Sequence, residues 1–162
     1  MLLNFIRLAV AIVALSTLMG STGCQAKERR PNRYLLPDGY VGWVRVNYRI
    51  KGAPELPIED GYYLLRIPMT GLLDTCSEGE EGAAIDEYYY YLGENRRPIP
   101  HRTNNQLIWG AVGFGSKSVP GKEPTRYEEF FVGTKDQYDQ IGIKCKDSDL
   151  NPIIGPVELC PP

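Results

Sequence analysis

Four residues near the C-terminus have a spacing that could bind calcium. In CKDSDLNPIIGPVELC, residues 145–160, Asp147, Asp149, Asn151 and Glu158 fall at positions 1, 3, 5 and 12 of a calcium-binding loop. Position 6 of such a loop needs a glycine for its sharp turn, but here it is Pro152, whose ring fixes φ. Flanking helices are also missing from the pattern. We therefore predict a closed turn rather than a calcium site, and no other cofactor.

Two of the four cysteines bracket this same stretch. If Cys24 carries lipid, three thiols remain, so one of them is left over. We predict that Cys145 pairs with Cys160, which leaves Cys76 free, and closing a loop of this length contributes about 3 kcal/mol in the chain-entropy treatment. A bond from Cys76 to either of the other two is the alternative.

An acidic stretch supplies the second candidate chemistry. SEGEEG, residues 77–82, contains Glu78, Glu80 and Glu81, with Asp74 before it and Asp86 after it. Paired carboxylates hydrolyse glycosidic bonds when they have a defined separation and one acid is shielded from water. The composition of this stretch instead predicts a solvated loop, and a hydrolase acting on glycans or peptides remains the alternative.

Other catalytic sets are excluded by composition. The chain has one histidine, His101 in PIPHRT, which makes a histidine-based metal cluster or a histidine-dependent triad improbable. GAVGFGSKS, residues 110–118, departs from the phosphate-loop spacing, because Ser116 comes between the last glycine and Lys117. We identify no catalytic residue and interpret His101 as a surface residue.

Four consecutive tyrosines in EYYYYL, residues 87–92, raise the question of an aromatic binding platform. Successive side chains of a strand point to opposite faces, so Tyr88 and Tyr90 share one face and Tyr89 and Tyr91 share the other. We predict that one pair is buried in the core and the other forms cross-strand pairs on the wet face, with a turn at GENRRP. A ligand-facing pair is the alternative.

The elements that must position these residues are strands. In VRVNYRI, residues 44–50, apolar and polar residues alternate with the period of a strand that has one buried face. Similar short segments, bounded by Gly, Pro or Asn, occur at residues 62–68, 87–92, 106–114 and 126–133.

These segments predict an all-β fold, mainly antiparallel, in the form of a β-sandwich of the immunoglobulin-like or prealbumin-like kind. One short helix is expected near residues 135–141, because Thr134 and Gln137 have the spacing of a capping box and Gly142 can end the turn.

The N-terminal residues indicate export. The apolar run from Leu8 to Met19, preceded by Arg7, is too short to span a membrane and is typical of a signal peptide. We predict a signal peptide at residues 1–23, a lipidated N-terminus and tether at residues 24–33, and a single β-rich domain at residues 34–162. Loss of the signal peptide changes the formal net charge from −2 to −3, which argues against nucleic-acid binding.

Ser21-Thr22-Gly23-Cys24 resembles the bacterial lipobox, in which small residues precede a cysteine that is lipidated and becomes the new N-terminus. The lipobox prefers Leu where this chain has Ser21. The resemblance implies a membrane anchor at Cys24, and Gln25 resembles the sorting pattern for the outer membrane of diderm bacteria. Ordinary cleavage near Gly23, with Cys24 left as a thiol, is the alternative.

RYLLPDGYVGWVRVNYRI, GYYLLRIPMTGLLDT, the tyrosine strand and EEFFVGTKDQYD together resemble a bacterial domain family of unknown function that occurs in exported proteins and lipoproteins. The resemblance covers most of residues 33–141. The first half also resembles the opening hairpin of prealbumin-like and carboxypeptidase-regulatory-like sandwiches. The family implies location and fold and supplies no catalytic residue.

The sequence therefore predicts a lipoprotein of the bacterial cell envelope. Its partners are expected to be the membrane, through the lipid, and an envelope protein or glycan. A non-enzymatic binding or structural module is the leading interpretation, and a carboxylate-dependent hydrolase is the alternative.

Overall fold

The computed structural model describes residues 26–110, 114–117, 125–142 and 155–156. Strands are the main regular structure of these residues: β1 Asn32–Pro37, β2 Gly42–Tyr48, β3 Ile58–Glu59, β4 Tyr62–Arg66, β5 Leu72–Asp74, β6 Glu87–Leu92, β7 Asn95–Pro98, β8 Ile108–Trp109, β9 Phe114–Lys117, β10 Thr125–Val132 and β11 Gly155–Pro156. One helical turn, α1 Lys135–Gln137, leads into a π-helical turn at Tyr138–Gly142. Within the described ranges, no helix is long and apolar enough to cross a membrane.

Two mixed sheets make up the fold. Sheet 1 has the order β3-β4-β1-β6-β7, and its central strand β1 runs parallel to both of its neighbours. Sheet 2 has the order β11-β2-β10-β8, with β5 beside β2 and β9 beside β10. Six of the nine strand pairs in the described residues are antiparallel, so the prediction of a mainly antiparallel all-β fold is confirmed.

A tight turn carries the chain from sheet 1 to sheet 2. The amide of Tyr40 donates to the carbonyl of Pro37 at 3.0 Å, and Gly39 has a φ of 74°. A positive φ at the third position of a turn is the conformation that glycine adopts without steric cost. β1 and β2 therefore follow each other directly but lie in different layers.

The core lies between the two sheets, as expected of a sandwich. Sheet 1 contributes Tyr34, Leu36, Leu65, Tyr88 and Tyr90, and sheet 2 contributes Val44, Val46, Tyr48, Phe130 and Val132. The alternation predicted for residues 44–50 places the two valines and Tyr48 in this core. It ends at Tyr48 because Arg49 has a φ of 62° and leaves the strand conformation.

The predicted short helix covers the outer face of sheet 2. Thr134 and Gln137 form the expected capping box, with a Gln137 amide to Thr134 Oγ1 distance of 3.2 Å. The following turn places Tyr138 against a second small cluster made by Trp43 and Phe131. Trp43 is buried and Trp109 is half-buried, so both tryptophans are shielded from solvent at least in part.

The tyrosine strand has the two faces that its sequence predicts. Tyr88 and Tyr90 are in the core, whereas Tyr89 and Tyr91 are half-buried on the outer face of sheet 1. The predicted turn at GENRRP is shorter than expected, because β6 and β7 pair up to Leu92 and Asn95 and Gly93 has a φ of 60°. Residues 95–98 form an edge strand that ends at Pro98.

The N-terminal segment is folded from an earlier residue than predicted. The carbonyl of Lys27 accepts a hydrogen bond from the amide of Ala83 at 2.8 Å, and the amide of Arg29 donates to the carbonyl of Ala83 at 3.2 Å. β1 then starts at Asn32. Residues 27–33 of the predicted tether lack apolar side chains, but backbone hydrogen bonds and charge pairing hold them on the domain.

Candidate functional site

A cleft of about 510 Å³ opens where the N-terminal segment, the loop before β6 and the loop after β7 meet. Its walls are formed by ten residues: Arg29, Gly82, Ala83, Ala84, Asp86, Tyr88, His101, Arg102, Gln106 and Ile108. The wall at residues 82–84 is Gly-Ala-Ala, so no large side chain fills the space from that side. Gly82 itself has a φ of 147°, and a Cβ there would lie 2.3 Å from the carbonyl oxygen of Lys27.

A buried ion pair fixes one side of the cleft. The Nη1 and Nη2 atoms of Arg29 donate to the two carboxylate oxygens of Asp86 at 2.9 and 2.6 Å, and both side chains are 9% exposed. Asp86 also accepts the amide of Asn32 at 2.8 Å. Although burial alone would lower it, the hydrogen bonds and charge of Asp86 raise the pKa of Arg29.

Behind this pair, a carboxylate is buried between the sheets. Glu128 on β10 is 2% exposed, and its Oε2 accepts hydrogen bonds from the hydroxyls of Tyr34 and Tyr48 at 2.8 and 2.6 Å. The Nδ2 of Asn32 lies 3.4 Å from the same oxygen. Burial raises the pKa of Glu128, and the two tyrosine hydrogen bonds oppose that effect only in part.

Aromatic rings connect this buried carboxylate cluster to the cleft. The Tyr34 ring stacks on the Tyr88 ring, with 4.9 Å between centroids and an angle of 6° between the planes. Tyr88 in turn meets the ring of His101 edge to face at 5.0 Å. His101 and Tyr88 therefore form one continuous wall of the cleft.

Arg102 lies in a loop that is closed by backbone hydrogen bonds. The amide of Leu107 donates to the carbonyl of Pro100 at 2.8 Å, and the amide of Gln106 donates to the carbonyl of Thr103 at 3.1 Å. Arg102 has a φ of 55°, a left-handed conformation that non-glycine residues seldom adopt. Its side chain is exposed and forms no ion pair with a carboxylate in the described part of the chain.

A protein-family model matches residues 28–141, a range that begins beside Arg29 and ends at the helical turn. The chain belongs to the family of unknown function DUF6843. The DUF6843 domain thus contains both sheets' central strands, the whole cleft and Glu128. It also starts at the first residues that the structure shows to be folded onto the domain.

A solved structure has a similar fold to this DUF6843 chain. It is the 2.75 Å crystal structure of a candidate lipoprotein from Bacillus anthracis, with a TM-score of 0.57 and 22% sequence identity. The match covers 68% of this chain and 77% of the Bacillus chain. No curated protein matches the chain.

Several sequence-predicted site residues of the DUF6843 chain lie outside the described residues. These are the lipidation site Cys24, the disulfide pair Cys145 and Cys160, and the calcium-like set Asp147, Asp149, Asn151 and Glu158. Cys76, predicted to be left over, is exposed in the loop after β5. Among the described residues, no three His, Cys, Asp or Glu side chains form a group that could hold a metal ion.

The acidic loop does not gather its carboxylates at one point. Glu78 pairs with Arg49, Glu81 pairs with Arg126, and Glu80 accepts the hydroxyl of Tyr63 at 2.9 Å. Asp74 accepts from Asn47, and Asp86 pairs with Arg29. Each carboxylate therefore balances a different partner on the domain, and the exposed ones form the solvated surface that composition predicts.

The residues that sequence reasoning missed are Arg29, Arg102 and Glu128. Glu128 did carry a signal, because it stands in phase with Phe130 and Val132 on the core face of its strand. An acid at a core position is costly unless it is hydrogen-bonded, so this phase marks it as unusual. Arg29 and Arg102 gave no local signal.

Proposed function

We propose that the chain is an exported, lipid-anchored member of DUF6843 whose domain binds a small ligand in the cleft. The observation that carries the proposal is the cleft itself, an open space bordered by the buried Arg29–Asp86 pair, by two rings and by the exposed Arg102. Ligand sites combine open space with a few fixed polar groups in this way. The outer membrane is the proposed location in a diderm cell.

Export and anchoring are supported by two observations. Residues 1–23 have the pattern of a signal peptide, and Ser21-Thr22-Gly23-Cys24 at its cleavage end resembles a lipobox. The Bacillus anthracis protein of similar fold is itself described as a candidate lipoprotein. Lipid chains at Cys24 would supply the membrane affinity, at about 0.8 kcal/mol for each buried methylene.

The contacts of the glutamates in the acidic loop argue against hydrolysis at that loop. A general acid needs a raised pKa and a shielded position, but hydrogen bonds from the amide of Arg30 and the hydroxyl of Tyr63 lower the pKa of Glu80. Glu78 and Glu81 are exposed and paired with arginines. The described loop thus supports a charged surface better than an acid and nucleophile pair.

Replacing Cys24 by Ser should release the protein from membranes or leave it as an uncleaved precursor. The reason is that the lipid requires the thiol, and the part of the chain after residue 24 has no long apolar run in its sequence. Membrane fractionation with immunoblotting measures both outcomes. Cys76→Ser is the matched control, because this exposed thiol lies far along the chain from the lipobox. Processing and membrane partition of Cys24→Ser like the parent would contradict the anchor.

Filling the cleft should abolish ligand-induced stabilisation. A ligand that binds only the folded state raises the unfolding temperature, and well above its Kd a rise of about 4 °C or more is expected for a domain of this size. Thermal unfolding is measured with and without a low-molecular-mass extract of the cell envelope. Ala84→Trp, in the cleft wall, should lose the rise. Ala53→Trp, in the turn after β2, should keep it, and an equal rise in both variants would refute the cleft as the site.

A further inference from the structure

The two arginines at the cleft differ in how far their charge is already neutralised. Arg29 directs both Nη atoms at Asp86, so this pair contributes a fixed and nearly neutral wall. Both oxygens of Asp86 accept hydrogen bonds from Arg29, and one of them also accepts the amide of Asn32. Arg102 is exposed at the cleft and faces no carboxylate in an ion pair within the described ranges. One positive charge is therefore left over at this cleft.

The fold fixes the backbone of Arg102 before any ligand arrives. Its left-handed φ of 55° is a strained conformation that persists only where the surrounding structure imposes it. Here the Pro100–Leu107 hydrogen bond closes the loop, and the carbonyl of Leu107 accepts the amide of Gly133 at 2.9 Å, which ties the loop to the end of β10. Because the backbone that carries Arg102 is already ordered, binding a ligand costs the entropy of the side chain but not that of the loop.

We propose that Arg102 binds the carboxylate of a small ligand in this cleft, either an acidic saccharide or the C-terminal end of a short peptide. This inference rests on the proposed binding function and names the ligand class. The planar guanidinium donates two parallel hydrogen bonds to a carboxylate, and the side-chain amide of Gln106 in the same wall offers a further donor. The rings of Tyr88 and His101, which meet edge to face, supply an aromatic wall beside the rest of the ligand.

Charge balance selects a carboxylate among the possible charged groups. A cationic ligand would find Asp86 already bonded to Arg29 and to the amide of Asn32. A phosphate carries nearly two negative charges at neutral pH, whereas the cleft offers one uncompensated arginine in its described walls. A single carboxylate matches that single charge, and the wall at residues 82–84 leaves room for the body of the ligand.

Calorimetric titration of the full chain in detergent micelles tests this inference with matched probes. One pair is D-glucuronate and its methyl ester, and the other is N-acetyl-alanyl-alanine and its C-terminal amide. We expect at least one of the two acids to bind. Its neutral analogue should bind at least about tenfold more weakly, because it loses a charge-assisted hydrogen bond. The pair that responds identifies the source of the carboxylate.

Arg102→Ala should reduce binding of that acid about tenfold or more, and Arg102→Lys should have an intermediate effect because it keeps the charge without the fork. Arg66→Ala is the matched control, since Arg66 is exposed on β4 and lies outside the cleft wall. Circular dichroism of each variant checks the fold.

Two results would overturn the inference. The first is that an acid and its neutral analogue bind equally well and that Arg102→Ala has no effect. The cleft would then remain a binding site, but it would not recognise a carboxylate. The second is that neither acid binds, although the envelope extract still stabilises the parent and fails to stabilise Ala84→Trp. The cleft would then bind another class of ligand. If the envelope extract does not stabilise the parent either, the proposed binding function itself is refuted.

Discussion

Asp86→Ala should destabilise the domain by about 3–5 kcal/mol, because it leaves the Arg29 guanidinium buried without its counter-ion. The Arg29 side chain is 9% exposed, and its remaining acceptor is the carbonyl oxygen of Arg30 at 2.9 Å. The amide of Asn32 at the start of β1 loses its acceptor too. Because whole domains are stable by about 5–15 kcal/mol, urea unfolding followed by tryptophan fluorescence should show a large fall in the midpoint.

Asp38→Ala is the matched control for this experiment. It removes the ion pair of Asp38 with Arg97, whose side chains are 45% and 66% exposed. Exposed pairs contribute about 0–1 kcal/mol, so the control should remain close to the parent. The double variant Arg29→Ala with Asp86→Ala should be less destabilised than the sum of the single variants, because neither charge is then left alone. Equal effects of Asp86→Ala and Asp38→Ala would show that the buried ion pair contributes no more to the free energy of unfolding than the exposed one.

Glu128→Ala should cost about 2–5 kcal/mol, because the hydroxyls of Tyr34 and Tyr48 would lose their shared acceptor in the core. Glu128→Gln keeps an acceptor of the same shape and should be much milder. The informative difference between the parent and Glu128→Gln lies in their dependence on pH.

Burial raises the pKa of Glu128 in the folded state above its usual value of 4.5. Folding therefore favours the protonated acid, and the stability from this group is fully present below the unfolded pKa and is lost as pH rises through the folded pKa. Glu128→Gln has no such titration. The stability of the parent relative to Glu128→Gln should thus be greatest near pH 4 and should fall as pH rises toward neutrality.

Urea unfolding of both chains at several pH values measures this difference. The pKa values of Glu59, Glu80 and Glu87 are lowered in the folded state, which gives stability that grows with pH. These groups are common to both chains, so their effect cancels in the comparison. Parallel stability curves for the parent and Glu128→Gln would rule out a raised pKa at Glu128.

The sequence predicted β2 and β6 from an alternation that leaves one face wet. Buried and less buried residues alternate from Val44 to Tyr48 in β2 and from Glu87 to Tyr91 in β6, and a period of two is visible in the sequence. The capping box before α1 was also visible, because it depends on two residues three apart. In both cases the determining interactions are local.

β1 escaped prediction because its surroundings differ from those of an alternating strand. Tyr34, Leu35 and Leu36 are all fully buried, since β1 is central in its sheet and runs parallel to both neighbours. Strands covered on both faces lose the alternating pattern. β3, β8 and β11 have two residues each, which is too short for any period to appear.

The cleft could not have been predicted because its parts are distant in the chain. Arg29 and Asp86 are separated by 57 positions, and Tyr34 and Glu128 by 94. No local pattern encodes which arginine meets which carboxylate, so the sequence groups Asp86 with the acidic loop and does not show that it pairs with Arg29. The order of the strands in the two sheets determines these encounters.

The early start of the folded segment also limits what can reach the cleft. With a lipid at Cys24, Arg29 is five residues from the point of attachment, and a fully extended chain spans at most about 17 Å over that length. A folded domain of 100 residues has a radius of gyration of about 13 Å and is too wide to enter that gap. The Arg29 side of the cleft would therefore face a narrow layer beside the bilayer, which admits small solutes and loose chain ends and excludes large globular proteins.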